Sequence, residues 1–522
     1  MMPEIDFASL SPFLWFSLIF AIVMLLWDTI EVGKNDATNI VNSVFGSRIL
    51  NRKWALWIAG AGVILGAYLS SDVIETARKG IFSPGLFTIQ AALAIYISVY
   101  IVDTILLYTY SAFGMPVSTT MTLVFELLGA SLFLGWVIDP SMEAVNWAKA
   151  GTVVLGIVCS IILSGIIGFI LQRAARGAIG EKWKSTTILL LHGGWVGGGI
   201  MAGLTYFMLV KGMKNVSFIK NIKSDIFSHE FGALIAIFAL WAVYAILIHM
   251  SLVIFRKKAA KLLFPVLTII GMFAMAFAFG QNDLANCASP GLAAIKLIEG
   301  SQAGMTTADI SKVPIASGWL ILCGILLVFG MRTKAAERVT KSEVRAGSRT
   351  ESHVKLYAPQ WCVKLGEVFV KWRKAEDGEE PLSRTHKPDD GHTRHYDPLR
   401  ACVIVCVSAC VIATASALSL PVSTTYVAFS AVLATGMADR IYVHGEAALK
   451  LGRSIWVIFS WFAAAVMATI VAGLVCVTIY YVGVAGMIGC FVINIVARQF
   501  VKKWADAQEL RLREEELLLE TT

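Results

Sequence analysis

PVSTT occupies residues 116–120 and returns, letter for letter, at residues 421–425. Both copies lie in otherwise apolar sequence, where a proline and three hydroxyl side chains are unexpected. Proline suits the first turn of a helix, because the N–H group that it lacks would have no partner there. Each copy therefore predicts a helix that begins inside an apolar environment, with free backbone N–H groups at its positive end.

The composition of the surrounding chain is that of a helical membrane protein. Of its 522 residues, 57% are hydrophobic and 15% are charged, whereas a soluble domain has about 25% charged residues. Continuous apolar segments of roughly 20 residues predict transmembrane helices, because that length crosses a bilayer. The predicted fold class is an all-α polytopic protein of the plasma (inner) membrane. Its predicted spans are 10–32, 54–71, 86–110, 117–137, 147–171, 186–209, 230–255, 262–280, 314–331, 399–419, 421–436 and 454–482, with 483–497 as a candidate thirteenth crossing.

Lysine and arginine are concentrated in short loops, where they set the orientation of a membrane protein. The basic loops 46–53, 172–184 and 256–261 are predicted to be cytoplasmic, and the acidic loop 138–146 is predicted to be external. Loop 211–223, which is also rich in lysine, opposes this assignment. Because basic residues in such loops set the orientation of the chain, the net charge of +8 does not predict nucleic acid as a partner.

One long hydrophilic segment, residues 332–398, is predicted to be a cytoplasmic loop. Part of it has one apolar helical face flanked by basic residues, a pattern typical of a helix on an anionic membrane surface. The apolar face consists of Trp361, Leu365, Val368 and Trp372. An ordinary docked or partly disordered loop is the alternative.

A second sequence, GxNDxxN, also occurs twice, as GKNDATN at 33–39 and GQNDLAN at 280–286. In each half it precedes PVSTT, so the chain is predicted to consist of two homologous halves. An odd number of predicted spans separates the two copies of each sequence, so the halves are predicted to have inverted topology. Polar, interrupted helices at matching positions of inverted halves are typical of the binding site of a secondary transporter.

The predicted organisation is therefore two inverted repeats of about twelve helices, with broken helices at the midplane. Its parts are a first membrane repeat (1–210), the start of the second repeat (211–331), the cytoplasmic loop (332–398), the remainder of the second repeat (399–497) and a charged C-terminal tail (498–522).

The two repeated sequences supply complementary chemistry. Helix N-termini with serine and threonine hydroxyls bind anions, and two inverted copies would surround a tetrahedral oxyanion. In GxNDxxN we expect the glycine to permit a backbone break and the Asn and Asp side chains to supply oxygen ligands. An ionised Asp36 or Asp283 would repel the anion, so each is predicted to hold a coupling cation, Na⁺ or H⁺. A purely structural role, capping broken helices, is the alternative, although ionisable groups inside membranes are usually functional.

Two GxNDxxN and two PVSTT segments in this order resemble the PiT family of inorganic phosphate transporters, over both halves but not over residues 332–398. The resemblance implies symport of inorganic phosphate with Na⁺ or H⁺, about twelve spans in inverted repeats and usually a homodimer. No cofactor other than the coupling ion is predicted. The substrate contacts that it implies are Asn35, Asp36, Ser118, Thr119, Thr120, Asn282, Asp283, Ser423, Thr424 and Thr425. Asn39 and Asn286 would complete cation sites with the two aspartates.

Several residues depart from the family pattern. Family members usually have a small residue in place of Lys34 and often a histidine in place of Met121 and Tyr426. The identities of the anion and of the coupling ion therefore stay open, and sulfate is the alternative substrate. Two roles are open for Lys34: its side chain extends to the membrane interface, or its ammonium contacts the anion. Two roles are also open for Asp103 and Glu126, which are acids in predicted spans: they relay protons, or they are structural.

An intramembrane enzyme that uses Asp36 and Asp283 as an acid–base pair is a different class of function. Catalytic pairs are usually asymmetric, because an acid and a base need different environments, whereas these aspartates have the same sequence neighbours. A channel is less suited to a site that combines anion donors with carboxylates. The sequence predicts a transporter embedded in membrane lipid, and no enzyme.

Overall fold

The computed structural model of the protein describes residues 10–70, 81–212, 231–302, 316–348, 357–377, 394–442 and 447–521. These residues are almost entirely helical, as predicted, and nine of their helices are long and apolar enough to cross a membrane. The helices are α1 (Pro12–Ser47), α2 (Arg52–Tyr68), α3 (Ile89–Ala112), α4 (Thr119–Ile138), α5 (Trp147–Ile179), α6 (Thr186–Thr205), α7 (Gly232–Gln302), α8 (Ser317–Met331), α9 (Lys334–Ala346), α10 (Gln360–Asp377), α11 (Pro398–Ala417), α12 (Thr424–Ala438), α13 (Ala447–Val482) and α14 (Val484–Thr521). A short π-helix, Tyr206–Gly212, follows α6.

Helix α7 accounts for two predicted spans. Its backbone leaves the helical region at Arg256, where φ is 39° and ψ is −111°. This kink divides the element into two arms, which we call α7a (232–255) and α7b (257–302). The basic loop predicted at 256–261 is therefore the kink and the first turn of α7b.

The helices next to the PVSTT segments form two hairpins whose tips meet. The first hairpin is α3 with α4, and the second is α11 with α12. The Thr120 hydroxyl donates to the Val422 carbonyl at 3.0 Å, and the Thr425 hydroxyl donates to the Val117 carbonyl at 3.2 Å. The helices α4 and α12 thus begin at buried tips, as predicted. The prolines do not lie in the first helical turn, however, because α4 begins at Thr119 and α12 at Thr424, three residues after Pro116 and Pro421.

The hairpins approach each other from opposite ends of α13. The indole of Trp461 contacts both tips, because its N–H donates to the Pro116 carbonyl at 3.0 Å and its ring stacks on Tyr426. Further along α13, Thr469 packs against Gly129 of α4, so closely that an added Cβ on the glycine would lie 2.0 Å from the threonine carbonyl oxygen. In the other direction, Ser454 borders α12. The two hairpins therefore extend from Trp461 in opposite directions along α13.

The predicted backbone break in GxNDxxN is wrong. α1 is a continuous helix through Gly33, and α7b is continuous through Gly280. The two glycines permit close helix packing instead, because a Cβ on Gly33 would lie 2.2 Å from the Leu327 carbonyl oxygen of α8 and one on Gly280 would lie 2.2 Å from the Val63 carbonyl oxygen of α2. The interrupted helices are those at PVSTT.

The described part of the hydrophilic segment contains the helices α9 and α10. α9 is bent by 66° from α8. α10 forms the predicted amphipathic helix: Trp361 packs edge-on against Phe459 of α13, while Val368 and Trp372 are 64% and 59% exposed. Residues 349–356 and 378–393 of this segment lie outside the described part of the chain.

The segment predicted as a candidate thirteenth crossing is part of a long helix. The chain turns at Gly483, whose φ of +65° suits glycine, and α14 then runs to Thr521. The predicted C-terminal tail therefore continues this helix over its described residues.

Candidate functional site

The serines of the two PVSTT segments are helix caps. α4 and α12 each begin at the first threonine of the segment. The Ser118 hydroxyl accepts a hydrogen bond from the Met121 N–H at 3.0 Å, and the Ser423 hydroxyl accepts one from the Tyr426 N–H at 3.1 Å. Such caps are typical of helix N-termini, and they leave first-turn N–H groups that have no partner within the helix.

The first asparagine of each GxNDxxN segment holds a hairpin tip. The Asn35 amide accepts from the Val117 N–H at 2.9 Å and donates to the Met115 carbonyl at 3.1 Å. In the other half, the Asn282 amide accepts from the Val422 N–H at 3.3 Å and donates to the Val422 carbonyl at 2.6 Å. Both predicted substrate contacts therefore bind the backbone of the tips.

The two aspartates accept hydrogen bonds from threonines of the tips. Asp36 accepts from Thr119 at 3.2 Å and from Thr425 at 2.9 Å, so it contacts both hairpins. Asp283 accepts from the Thr424 hydroxyl. The hydroxyls predicted to face the substrate thus also orient the carboxylates.

The second asparagine of each GxNDxxN segment reaches the tip that belongs to the other half. The Asn39 amide donates to Thr425 at 3.0 Å, and the Asn286 amide donates to Thr120 at 2.8 Å. Each amide also donates to the aspartate three residues earlier, at 3.1 Å and 2.9 Å respectively. The same set of contacts therefore occurs twice, with the halves exchanged.

In each GxNDxxN segment, the amide oxygen of the second asparagine is left without a donor among the described residues. Within the described residues, the buried amide oxygens of Asn39 and Asn286 accept no hydrogen bond. Each belongs to a side chain that contacts a carboxylate, Asp36 or Asp283. Carboxylate and carbonyl oxygens are the ligands that hard cations prefer, so the residues present fit one cation in each half.

The predicted site residues all lie in this cluster. Each is at most 6% exposed to solvent, so the site is closed on both sides. The members are Asn35, Asp36, Asn39, Ser118, Thr119, Thr120, Asn282, Asp283, Asn286, Ser423, Thr424 and Thr425.

Glu343 of α9 borders the site and was not predicted from the sequence. Its carboxyl is buried and accepts from the Thr38 hydroxyl of α1 at 2.5 Å, one residue before Asn39. It is easily overlooked because it belongs to the hydrophilic segment. A signal was present, since Ala336, Val339 and Glu343 recur at the spacing of one helical face.

The other ionisable candidates lie away from the cluster. Lys34 pairs with Glu31 at 3.0 Å, and Arg498 of α14 pairs with the same carboxylate at 2.9 Å. Asp103 accepts from Thr122 at 2.7 Å. These contacts do not support the direct anion role considered for Lys34, because its ammonium is held by a carboxylate.

Two further buried acids lie in α1 and α4. Both carboxylate oxygens of Glu126 have no hydrogen-bond partner among the described residues, whereas the Asp28 carboxyl contacts the Asp103 carboxyl. Tyr426, which directly follows the second PVSTT segment, stacks on Trp461 with ring centroids 3.8 Å apart.

Comparisons with known proteins agree on one family. A model of the phosphate transporter family matches residues 32–342 and 391–500. A protein of Thermococcus kodakarensis named "Putative phosphate permease" is 25% identical over 454 residues, which cover 84% of this chain and 92% of that protein. A protein of Pyrococcus furiosus with the same description is 26% identical over 476 residues, which cover 90% of this chain and 98% of that protein.

A solved structure shares the fold. It is named "The sodium-dependent phosphate transporter", and it matches with a TM-score of 0.62 at 20% sequence identity. The match covers 89% of this chain and 98% of that chain.

Proposed function

The chain belongs to the phosphate transporter family, and on that basis we propose that it is a symporter that carries inorganic phosphate across the plasma membrane together with Na⁺. Phosphate transport follows from the family, and the coupling to a cation is our inference. The observation that carries it is the pair of buried amide oxygens, on Asn39 and Asn286, that lie beside carboxylates and accept no hydrogen bond from the described residues.

The electrostatics of the site favour joint binding of anion and cation. Phosphate would be held by the N–H groups and hydroxyls at the starts of α4 and α12, because helix N-termini bind anions. Asp36 and Asp283 would repel the phosphate unless a cation offset their charge. Each ion therefore strengthens the binding of the other, which is the requirement for symport.

Sodium suits the site better than a proton does. A proton needs only the carboxylate, whereas a metal cation needs several oxygen ligands. The amide oxygens of Asn39 and Asn286 supply such ligands next to each carboxylate, and in our proposal they complete the two Na⁺ sites. Asn35 and Asn282 act by holding the tips.

We infer that transport proceeds by alternating access. The site is closed on both sides, so substrate entry requires movement of helices. The two hairpins approach the site from opposite ends, and a shift of one hairpin would open one side while the other stayed closed. In secondary transporters such movements occur about a fixed central site.

Uptake into proteoliposomes tests the proposal. We expect an inward Na⁺ gradient to drive accumulation of labelled phosphate, and a pH gradient without Na⁺ to drive none. In Asp36→Asn and Asp283→Asn the half-saturating Na⁺ concentration should rise about ten- to hundredfold, which corresponds to roughly 1.5–3 kcal/mol for contacts to a charged group. Asp139→Asn, in the exposed turn after α4, is the matched control and should transport normally.

Three outcomes would overturn the proposal. Accumulation driven by the pH gradient alone would identify H⁺ as the coupling ion. Accumulation of sulfate in preference to phosphate would change the substrate. If both aspartate variants kept the Na⁺ dependence of the unsubstituted protein, Asp36 and Asp283 would not be ligands of the coupling cations.

A further inference from the structure

The kink of α7 encloses a groove that the transport site does not use. The arms α7a and α7b run side by side from Arg256, and the space between them is a cavity of about 490 Å³. Its walls include Tyr244, Ile248 and Phe255 of one arm and Val266 of the other. A cavity of this size is within the range of ligand sites, roughly 300–1,000 Å³.

One side of the groove is closed by α6. The glycines of HGGWVGGG (residues 192–199) let this helix approach both arms. A Cβ on Gly198 would lie 2.7 Å from the Ala245 nitrogen of α7a, and one on Gly193 would contact Leu263 of α7b. The other side is open and apolar: Phe255 is 59% exposed and Val266 is 46% exposed. In a membrane this side faces the acyl chains of the lipid.

The closed end of the groove is basic. Arg256, Lys257, Lys258 and Lys261 follow one another around the kink, and Lys258 lines the cavity. All four are exposed, and within the described residues none of them forms an ion pair with a carboxylate. The orientation predicted from the basic loops puts this end on the cytoplasmic face, where anionic lipids attract basic clusters.

We propose that this groove binds an anionic phospholipid, with the headgroup phosphate at the basic kink and an acyl chain between the two arms. Two features together select this occupant. A soluble phosphate would use the basic residues but not the apolar walls. A lipid without net negative charge would use the walls but gain little from the four basic side chains.

The test compares lipids with identical acyl chains on the delipidated, purified transporter. Phosphatidylglycerol should raise the unfolding temperature and remain bound in native mass spectrometry, whereas phosphatidylcholine should do neither. Lys257→Gln with Lys258→Gln should weaken phosphatidylglycerol binding about 30-fold, which corresponds to about 1 kcal/mol per basic residue. Lys502→Gln with Lys503→Gln removes the same charge from α14 and should leave binding unchanged.

A second variant tests the apolar part of the groove. Val266→Trp should fill the space between the arms and abolish lipid binding while all basic residues remain. The proposal would be overturned if phosphatidylcholine raised the unfolding temperature as much as phosphatidylglycerol does. It would also be overturned if inorganic phosphate alone raised it by the same amount. A change of oligomeric state in Val266→Trp would also overturn it, because the groove would then be an interface between two copies of the chain.

Discussion

The two asparagines of each GxNDxxN segment have the same chemical group and different partners. Asn35 and Asn282 hold the backbone of the hairpin tips, while Asn39 and Asn286 contact threonine hydroxyls of the opposite tip and keep one amide oxygen without a donor. The difference comes from position on the helix. Residues four apart lie on one face but one turn apart along the axis, so the first asparagine meets the tip of its own half and the second meets the tip of the other half.

A buried glutamate beside the site should make stability depend on pH. Burial raises the pKa of Glu343 from 4.5 to about 7, and a hydrogen bond from Thr38 offsets part of that rise. The folded protein therefore binds this proton more tightly than the unfolded chain does. Stability should be greatest below pH 4.5 and should fall as the pH rises to 7, by up to roughly 3 kcal/mol.

Thermal unfolding of the purified protein between pH 5 and pH 8 measures this effect. Glu343→Gln should remove this fall in stability. Glu337→Gln, on the same helix, is the control: a hydrogen bond from Lys341 lowers the pKa of Glu337 below 4.5, so its contribution is constant over this pH range. If the Glu343 variant retains the full pH dependence, another group is responsible for it.

At the level of helices, the GxNDxxN helix of each half packs against a helix of the other half. α1 of the first half packs against α8 of the second, and α7b of the second half packs against α2 of the first. The crossings use glycine on both sides: Gly33 faces Leu327 while Gly330 faces Ile30, and Gly280 faces Val63. The motif glycines therefore fix the helices that carry the aspartates.

These crossings predict the effect of a single methyl group. Gly33→Ala and Gly280→Ala would each bring a Cβ to within 2.2 Å of a backbone carbonyl oxygen, so the helices must separate. We expect a loss of about 1–3 kcal/mol in the free energy of unfolding, as for other overpacked cores. Denaturation monitored by circular dichroism measures it.

The control for this prediction is Gly177→Ala in α5. An added Cβ at Gly177 meets no atom within 4 Å. Alanine should there leave stability unchanged or raise it by up to about 1 kcal/mol, because glycine is unfavourable inside a helix. If Gly280→Ala were as stable as the unsubstituted protein, the prediction would be contradicted, because the crossing would then accept a methyl group without loss.

Across the molecule, two hairpins oppose each other along the same long helices. The first opens near the α4–α5 turn, and the second opens near the end of α1, where the backbone N–H of His395 donates to the Gly46 carbonyl at 2.8 Å. This arrangement supports opposite orientations for the hairpins. The inverted relation of all twelve predicted spans, and the homodimer that the family resemblance implies, stay predictions.

Cysteine labelling tests the inverted arrangement in a membrane. On a cysteine-free background, Ser141→Cys marks the open end of the first hairpin, and Lys53→Cys marks the start of α2, near the open end of the second. An impermeant thiol reagent added outside intact cells should label the first position at once and the second only after permeabilisation. Labelling of both positions from the same face would contradict the inverted repeat.

The class of the protein, and which residues form the buried polar cluster, could be read from the amino-acid sequence alone. That this cluster binds the substrate and the cation stays a prediction. Apolar segments of bilayer length require a helical membrane fold, since no other use of them satisfies the backbone. Two repeated polar sequences identified the twelve buried residues, because polar side chains within a membrane are costly to bury without a partner or a function.

How those residues are used depends on the packing of distant helices. Local sequence could not show that Gly33 and Gly280 face a neighbouring backbone, since the carbonyl oxygens involved belong to α8 and α2. It also could not bring Glu343 next to Thr38, which is 305 residues away along the chain. A short sequence specifies its own helix start or turn, whereas the element that meets it is set by the arrangement of whole helices.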